Sequence, residues 1–303
     1  MSENKKEVNS TQQTVANNEN ESENQQQTVA EDKSVTISGR ATAPIVVLLG
    51  APGEGKTVLL HTLIHYLRME RNYNVEVVED FRRDSRYKEV INSFANVQDA
   101  LRKGSVPKRN SSEEFLLVNV CDSSSKLLYQ ILEAPGEHYI NKETQEVNLS
   151  DYLVEIIRSN REKIWMVLKS PKDDYSRGYR TLLDEIIKAN RKQIVHRESA
   201  PVSKNLEKIN EKNKYLFVLT KSDTVTDADK DAELKLFFPI IDKDDNAADF
   251  PEFWKDNKKL RWDVLSYYGG SFFEDIGGDI VWELEKDYKD YAKKLWRKLK
   301  DIL

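Results

Sequence analysis

The sequence predicts an α/β domain: a mostly parallel sheet with helices on both faces and one antiparallel hairpin at an edge. Three observations predict it. Ile45–Leu49 is an unbroken apolar, largely β-branched run, the pattern of a strand buried on both faces. Runs of this kind then alternate with helical patterns along the chain, which implies parallel strands joined by helical crossovers. Phe115–Val120 and Leu127–Leu132 are two extended runs separated by one short turn at Asp122–Lys126, a hairpin pattern.

The elements follow in order. Residues 1–42 read as a disordered polar tail, because Ala16–Thr28 (ANNENESENQQQT) has almost no apolar side chain to offset the entropy of ordering. Residues 43–303 form the structured domain. After Ile45–Leu49 comes a Gly-rich turn, then a helix over Thr57–Arg71 with Val58, Leu59, Leu63, Ile64 and Leu67 at helical spacing. Arg71–Asn110 is long and highly charged, either a mobile switch segment or an inserted helix. Beyond the hairpin, a helix at Leu149–Arg158 precedes strand Ile164–Leu168. A second at Tyr179–Lys188 precedes strand Tyr215–Leu219, and a third at Phe250–Lys259 precedes a weaker run, Trp262–Tyr267. The C-terminal helix, 279–299, carries Ile280, Leu284, Tyr288, Tyr291, Leu295 and Leu299 on one stripe that docks on the core.

Composition narrows the function. With 303 residues, 39% hydrophobic and 33% charged, the chain can build a sizeable core. A net charge of -5 argues against a dedicated nucleic-acid binder, which concentrates basic residues on one face. Cys121 is the only cysteine, so no intrachain disulfide forms, and its apolar neighbours suit a buried thiol. No membrane-spanning stretch and no signal peptide is apparent, so a cytoplasmic location is expected.

Gly50-Ala51-Pro52-Gly53-Glu54-Gly55-Lys56-Thr57 matches the phosphate-loop pattern GxxxxGKS/T at every fixed position. A phosphate chain needs several backbone N–H donors converging on it, and glycine permits that close approach. Lys56 adds a positive charge for the β- and γ-phosphates, Thr57 a hydroxyl for Mg²⁺, and the helix beginning there points its positive end at the anion. Far downstream, the strand Tyr215–Leu219 ends in Thr220-Lys221-Ser222-Asp223. A carboxylate at that place can accept both the N1–H and the exocyclic amine of guanine, a donor pair adenine lacks. A third segment, Leu127–Glu137, is a strand ending in acidic Glu133 with Pro135-Gly136 beyond it. Asp122 also ends an apolar strand and is the rival carboxylate for a metal.

With these motifs in order, the chain over about residues 43–270 resembles the P-loop GTPases of the Ras and translation-factor class, through GAPGEGKT, EAPGE and TKSD. The resemblance implies the three-layer P-loop NTPase fold, GTP or GDP as ligand with Mg²⁺, and a regulatory switch that hydrolyses GTP. It implies nucleotide contacts from residues 50–57, Gly136, Thr220, Lys221 and Asp223, with Ser266 in the last base-contacting loop. Thr57 and Glu133 would hold the metal, joined by the switch-loop hydroxyl of Ser111 or its neighbour Ser112. Glu137 and His138 stand where the family positions its attacking water, with Lys56 on the phosphates. Three residues depart from the family pattern: Glu133 stands for aspartate, Glu137 for glutamine, and Pro52 for glycine. They leave open a nucleotide-binding scaffold that hydrolyses little, and an ATP-using enzyme remains the third alternative. An effector or activating protein partner is expected.

Other features have plainer readings. His61 and His65 lie four apart on a helix with no evident third metal ligand, which suits packing. Lys188–Lys214 suits a solvated connector, with a partner-docking insertion as the alternative. Trp254, Trp262, Tyr267, Tyr268, Phe272 and Phe273 suit packing under the terminal helix, with an effector surface as the alternative.

Overall fold

Strand β1 (Ile45–Leu49) is buried at every residue, because parallel strands flank it on both sides and helices cover the sheet. It lies in a computed structural model that describes residues 43–81, 85–104, 115–141, 143–159, 161–171, 178–179, 181–183, 185–186, 213–224, 264–274 and 280–302. The polar tail, Ser111, Ser112 and the expected helix Phe250–Lys259 lie outside those residues.

The chain continues through α1 (Lys56–Met69), β2 (Tyr73–Val77), α2 (Ser85–Arg102), β3 (Leu116–Asp122), β4 (Leu127–Glu133) and α3 (Asp151–Arg158). Then come β5 (Lys163–Lys169), β6 (Asn213–Leu219), β7 (Val264–Ser266), β8 (Gly270–Glu274), β9 (Ile280–Leu284) and α4 (Tyr288–Ile302). Seven strands form one sheet in the order β2-β3-β4-β1-β5-β6-β7, and β8 pairs with β9 in a separate two-stranded sheet. From β4 to β7 all neighbours are parallel. The expected hairpin is β3–β4, closed by Asp122, whose Oδ1 accepts from the Ser124 amide and hydroxyl and from the Lys126 amide.

Strand β2 extends the antiparallel edge by pairing with β3 outside that hairpin. The charged segment after Arg71 therefore holds a strand, a short 3-10 turn at Glu79–Phe81 and the long helix α2 at Ser85–Arg102. Tyr73, Val75 and Val77 alternate with polar residues as an edge strand requires, but the run is short and set in a highly charged segment. Only Val75 is fully buried, as suits an edge strand with one half-covered face.

Helix α1 is enclosed on nearly every side. Eleven of its 14 residues are buried, including His61, Thr62 and His65. Leu59, Leu60, Leu63, Ile64 and Leu67 join the main core. His61 stacks on Phe94 of α2 at 5.0 Å, and the Gln98 side-chain amide lies 3.1 Å from His61 Nδ1 and donates to the His61 carbonyl at 3.0 Å. His65 meets Tyr288 of α4, while Val58 packs with Val97, Leu101 and Trp282. Tyr267, after β7, brings its hydroxyl within 2.5 Å of Thr62 Oγ1. The paired histidines are packing residues, and among the described residues no cluster of three His, Cys, Asp or Glu could hold a metal.

The C-terminal helix needs a correction. It begins at Tyr288, and Ile280–Leu284 is strand β9, in register with β8. A spacing of four places two residues on one face of a helix and of a strand alike, so Ile280 and Leu284 fit both periods. The β-branched and aromatic run Ile280-Val281-Trp282 favours extended backbone, and it decides the matter.

Burial, with a lesser push from the Arg68 guanidinium, lowers the His61 pKa from 6.5 to about 3, so His61 is neutral in the folded chain. The unfolded chain takes up that proton below pH 6.5, so the associated stability is present above 6.5 and is lost as pH falls toward 3. His61→Asn removes the titration. The stability difference between wild type and variant, read from urea unfolding, is expected to shrink steadily from pH 7 to pH 4. A difference independent of pH refutes the assignment.

Candidate functional site

Parallel strands end at one edge of their sheet, so β1, β4, β5, β6 and β7 deliver their following residues to a single crevice. The register sets Leu48 beside Glu133, Leu49 beside Val167, Lys169 beside Leu219, and Leu219 beside Ser266. The phosphate loop, Glu133, Thr220–Asp223 and Ser266 thus share one end of the fold. Asp122 lies at the other end, because β3 runs antiparallel to β4 and pairs its Leu116, not Asp122, with Glu133. It is a turn residue.

The loop itself takes two left-handed residues, Gly53 (φ 86°) and Gly55 (φ 79°), a conformation that side chains resist. Gly55 caps α1, so the helix opens directly from the loop. The Lys56 ammonium donates to the carbonyls of Gly50 at 2.8 Å and Ala51 at 3.0 Å. Burial lowers its pKa from 10.5 to about 8, opposed by the nearby carboxylates of Glu133, Glu54 and Glu137. Thr57 Oγ1 donates to Glu133 Oε1, so the two residues expected to face a metal face each other. Burial raises the Glu133 pKa, against the lowering effects of Thr57 and Lys56.

Glu54 corrects a simple reading of the loop. Its side chain is fully buried and accepts the Ser170 amide beyond β5, and its own amide donates to the Ala51 carbonyl at 3.3 Å, so the carboxylate faces the fold and not the crevice. Its carbonyl accepts the Thr220 hydroxyl at 2.9 Å. The Thr220 Cβ lies 3.5 Å from where a side chain on Gly55 would begin. The phosphate loop and the TKSD segment are therefore in direct contact. Beyond Thr220, Lys221 adopts left-handed backbone (φ 50°) and is exposed, Ser222 is buried, and Asp223 is exposed on a 3-10 turn. Ser266 is half-buried beside them.

The segment after β4 turns back over the loop. A Cβ on Gly136 would fall 2.3 Å from the Pro52 nitrogen and 2.5 Å from the Ala51 carbonyl carbon, so Gly136 lies flat on the phosphate loop. Glu137 is exposed on the turn, whereas the His138 ring packs edge-on against Phe115 at 4.7 Å. Tyr179 was not singled out from the sequence. Its hydroxyl accepts the Ala51 amide at 3.0 Å and donates to the Leu168 carbonyl. No sequence signal reveals this, since Ala51 and Tyr179 are 128 positions apart.

A buried first strand, a glycine loop capping the next helix, and a crevice along the carboxyl edge decide the architecture. The fold is that of a P-loop NTPase. No family model and no curated protein matches the chain. Among solved structures it is similar to a bacterial selenocysteine-specific elongation factor, at 10% identity and TM-score 0.36, with 86% of this chain and 29% of that chain covered. It is similar to a candidate nucleolar GTP-binding protein 1 from Plasmodium falciparum, at 12% identity and TM-score 0.31, covering 75% and 76%. A GTPase in apo form from Pyrococcus abyssi aligns at 12% identity and TM-score 0.35, covering 75% and 91%. The chain spans under a third of the elongation factor. With TM-scores this low, the architecture rests on the chain's own strand order and register. Among the described residues, no helix is long and apolar enough to cross a membrane.

The close approach of Gly136 is testable. Gly136→Ala forces a methyl into backbone and is expected to cost about 1–3 kcal/mol in urea unfolding. Gly53→Ala meets no atom within 4 Å and adds only the left-handed strain, about 1 kcal/mol. Equal stabilities for Gly136→Ala and wild type would show that the two segments do not touch.

Proposed function

We propose that the chain is a P-loop GTPase, a regulatory switch that binds GTP and GDP with Mg²⁺ and hydrolyses GTP. The observation that carries this reading is the contact between loop and TKSD segment: Thr220 bonds the Glu54 carbonyl, which supports one ligand shared by the phosphate loop and Asp223. A base held by Asp223 would present its phosphates to residues 53–57, Lys56 among them. Lys221, in left-handed backbone, would lie over the base, and Ser266 would close its far side.

The residues present fit Mg²⁺. Thr57 and Glu133 offer hard oxygen ligands facing each other, and phosphate oxygens and water would complete such a shell. Bound there, Mg²⁺ would neutralise charge on the β- and γ-phosphates. The chain's own residues do the rest. Lys56 would leave the Gly50 and Ala51 carbonyls for the phosphate oxygens, and the amide of Gly136 would face the γ-phosphate. Glu137, exposed on the turn, would accept a proton from attacking water. His138 packs on Phe115, which favours a structural role. Hydrolysis would then be slow without a protein partner, because the Glu137 carboxylate stands where the family has glutamine and its charge would repel the γ-phosphate.

A second reading, a scaffold that binds nucleotide with little turnover, is favoured by one observation. Pro52 touches Gly136, so the loop meets the turn through a rigid, bulky residue. Phosphate release in single-turnover assays, with and without cell extract, separates the two. Release in either condition supports the switch, and none in both supports the scaffold.

The binding reading is tested by titration with GTP, GDP and ATP, with and without Mg²⁺. Guanine nucleotides should bind, and ATP at equal concentration should fail to displace labelled GTP. Lys56→Ala should abolish binding. Asp223→Asn should weaken GTP by about tenfold to a hundredfold, as expected for losing charged hydrogen bonds, and should shift preference to xanthine nucleotides. Unchanged base preference removes Asp223 from the site.

A further inference from the structure

The ladder between β1 and β5 ends at Leu49 and Val167, and beyond it the two strands part to open the crevice. The next rung is made by a side chain. The Tyr179 hydroxyl sits between the strand ends, accepting the Ala51 amide at 3.0 Å and donating to the Leu168 carbonyl. Tyr179 is 2% exposed, so water does not compete for either bond. Both backbone groups would otherwise be buried polar atoms stranded by the splay, and each would cost free energy.

The same short stretch touches a second part of the site. A Cβ on Gly178 would come within 3.1 Å of the Ile140 side chain and 3.2 Å of the Gln145 carbonyl. Ala51 and Pro52 are also the atoms on which Gly136 rests. The dipeptide Gly178-Tyr179 therefore abuts the loop after Gly136 on one side and holds the phosphate loop on the other.

We propose that Tyr179 is a positioning residue of the phosphate site: its hydroxyl bridges the parting ends of β1 and β5 and fixes Ala51, setting the crevice at the width a nucleotide's phosphates require. The Ala51 amide, expected from the sequence among the nucleotide contacts, is taken by the Tyr179 hydroxyl, so on this reading phosphates meet the later loop amides and Tyr179 restrains the loop without competing with a ligand. This inference rests on the nucleotide-binding reading for its ligand, but the restraint on Ala51 is a property of the ligand-free chain.

The test uses the full chain with Tyr179→Phe, which removes the hydroxyl and keeps the ring. Tyr139→Phe is the matched control, because Tyr139 is equally buried and its hydroxyl has no hydrogen-bond partner among the described residues. Hydrogen exchange at Ala51 is followed without nucleotide, and dissociation of labelled GTP, GDP and ATP is followed well below the melting temperature. Tyr179→Phe is expected to speed Ala51 exchange and nucleotide dissociation by about tenfold each, as for loss of a buried hydrogen bond, with base preference unchanged. Tyr139→Phe should leave both within about twofold, having no bond to lose. Wild-type exchange at Ala51 in Tyr179→Phe overturns the proposal. So does faster exchange with wild-type dissociation, which would make the bond structural only. If the wild type binds ATP and not GTP, guanine selectivity fails and the ATP rates still decide the role of Tyr179. If it binds no nucleotide, the proposed function fails and the exchange comparison alone decides.

Discussion

The backbone of residues 50–56 must stay open at the edge of the sheet, with left-handed turns at Gly53 and Gly55 and a helix springing from its end. Within itself the loop is held by the Glu54 amide on the Ala51 carbonyl at 3.3 Å and by the Lys56 ammonium on the Gly50 and Ala51 carbonyls. Neighbours supply the other restraints. Tyr179 holds Ala51, Thr220 holds the Glu54 carbonyl, the Ser170 amide holds the Glu54 carboxylate, and Gly136 covers Ala51 and Pro52. The contacts come from β4, β5, β6 and the helical residues near 179. The loop is thus a product of the parallel order of the sheet.

That arrangement also explains the charge pattern. A phosphate cradle with carboxylates at 54, 133 and 137 would repel its ligand if all three faced it. Glu54 faces inward onto Ser170, and Glu133 is engaged by Thr57. Both remain close enough to hold the Lys56 ammonium up against the burial that lowers it. Lys56 in turn donates to two loop carbonyls, so the cation that would meet a phosphate is stored within reach of it. Opposed terms of this kind let a buried lysine stay available for an anion without folding around empty charge.

Much of this was legible in the sequence, for definite reasons. Ile45–Leu49 is apolar throughout because both its faces are buried, and GxxxxGKT constrains backbone and charge at fixed spacing, so strand, loop and helix were readable together. TKSD was readable because it ends a strand. Glu133 and Asp122 both end strands, and only the antiparallel turn between β3 and β4, invisible to composition, sends Asp122 to the far end. β9 was read as helix because a four-residue spacing serves both periods. The sequence sets Glu54 among the loop residues, and the inward turn of its carboxylate depends on the Ser170 amide, 116 positions away. Tyr179 left no local trace for the same reason.

Enclosure of α1 bears on how such a site can move. In a fold whose phosphate helix has a solvent face, the helix and loop can shift together. Here α2, α4 and the β8–β9 pair add His61–Phe94, His65–Tyr288 and Val58–Trp282 contacts around it. A close-packed helix resists displacement, since any shift opens voids on several sides at once. On the proposed function, any rearrangement between ligand states would be directed to the segment after β4. There Gly136 meets the loop without a side chain, Glu137 is exposed, and Ile140 and Gln145 meet Gly178. On the proposed function, the packing that holds α1 would thus select which part of the chain responds to a bound phosphate.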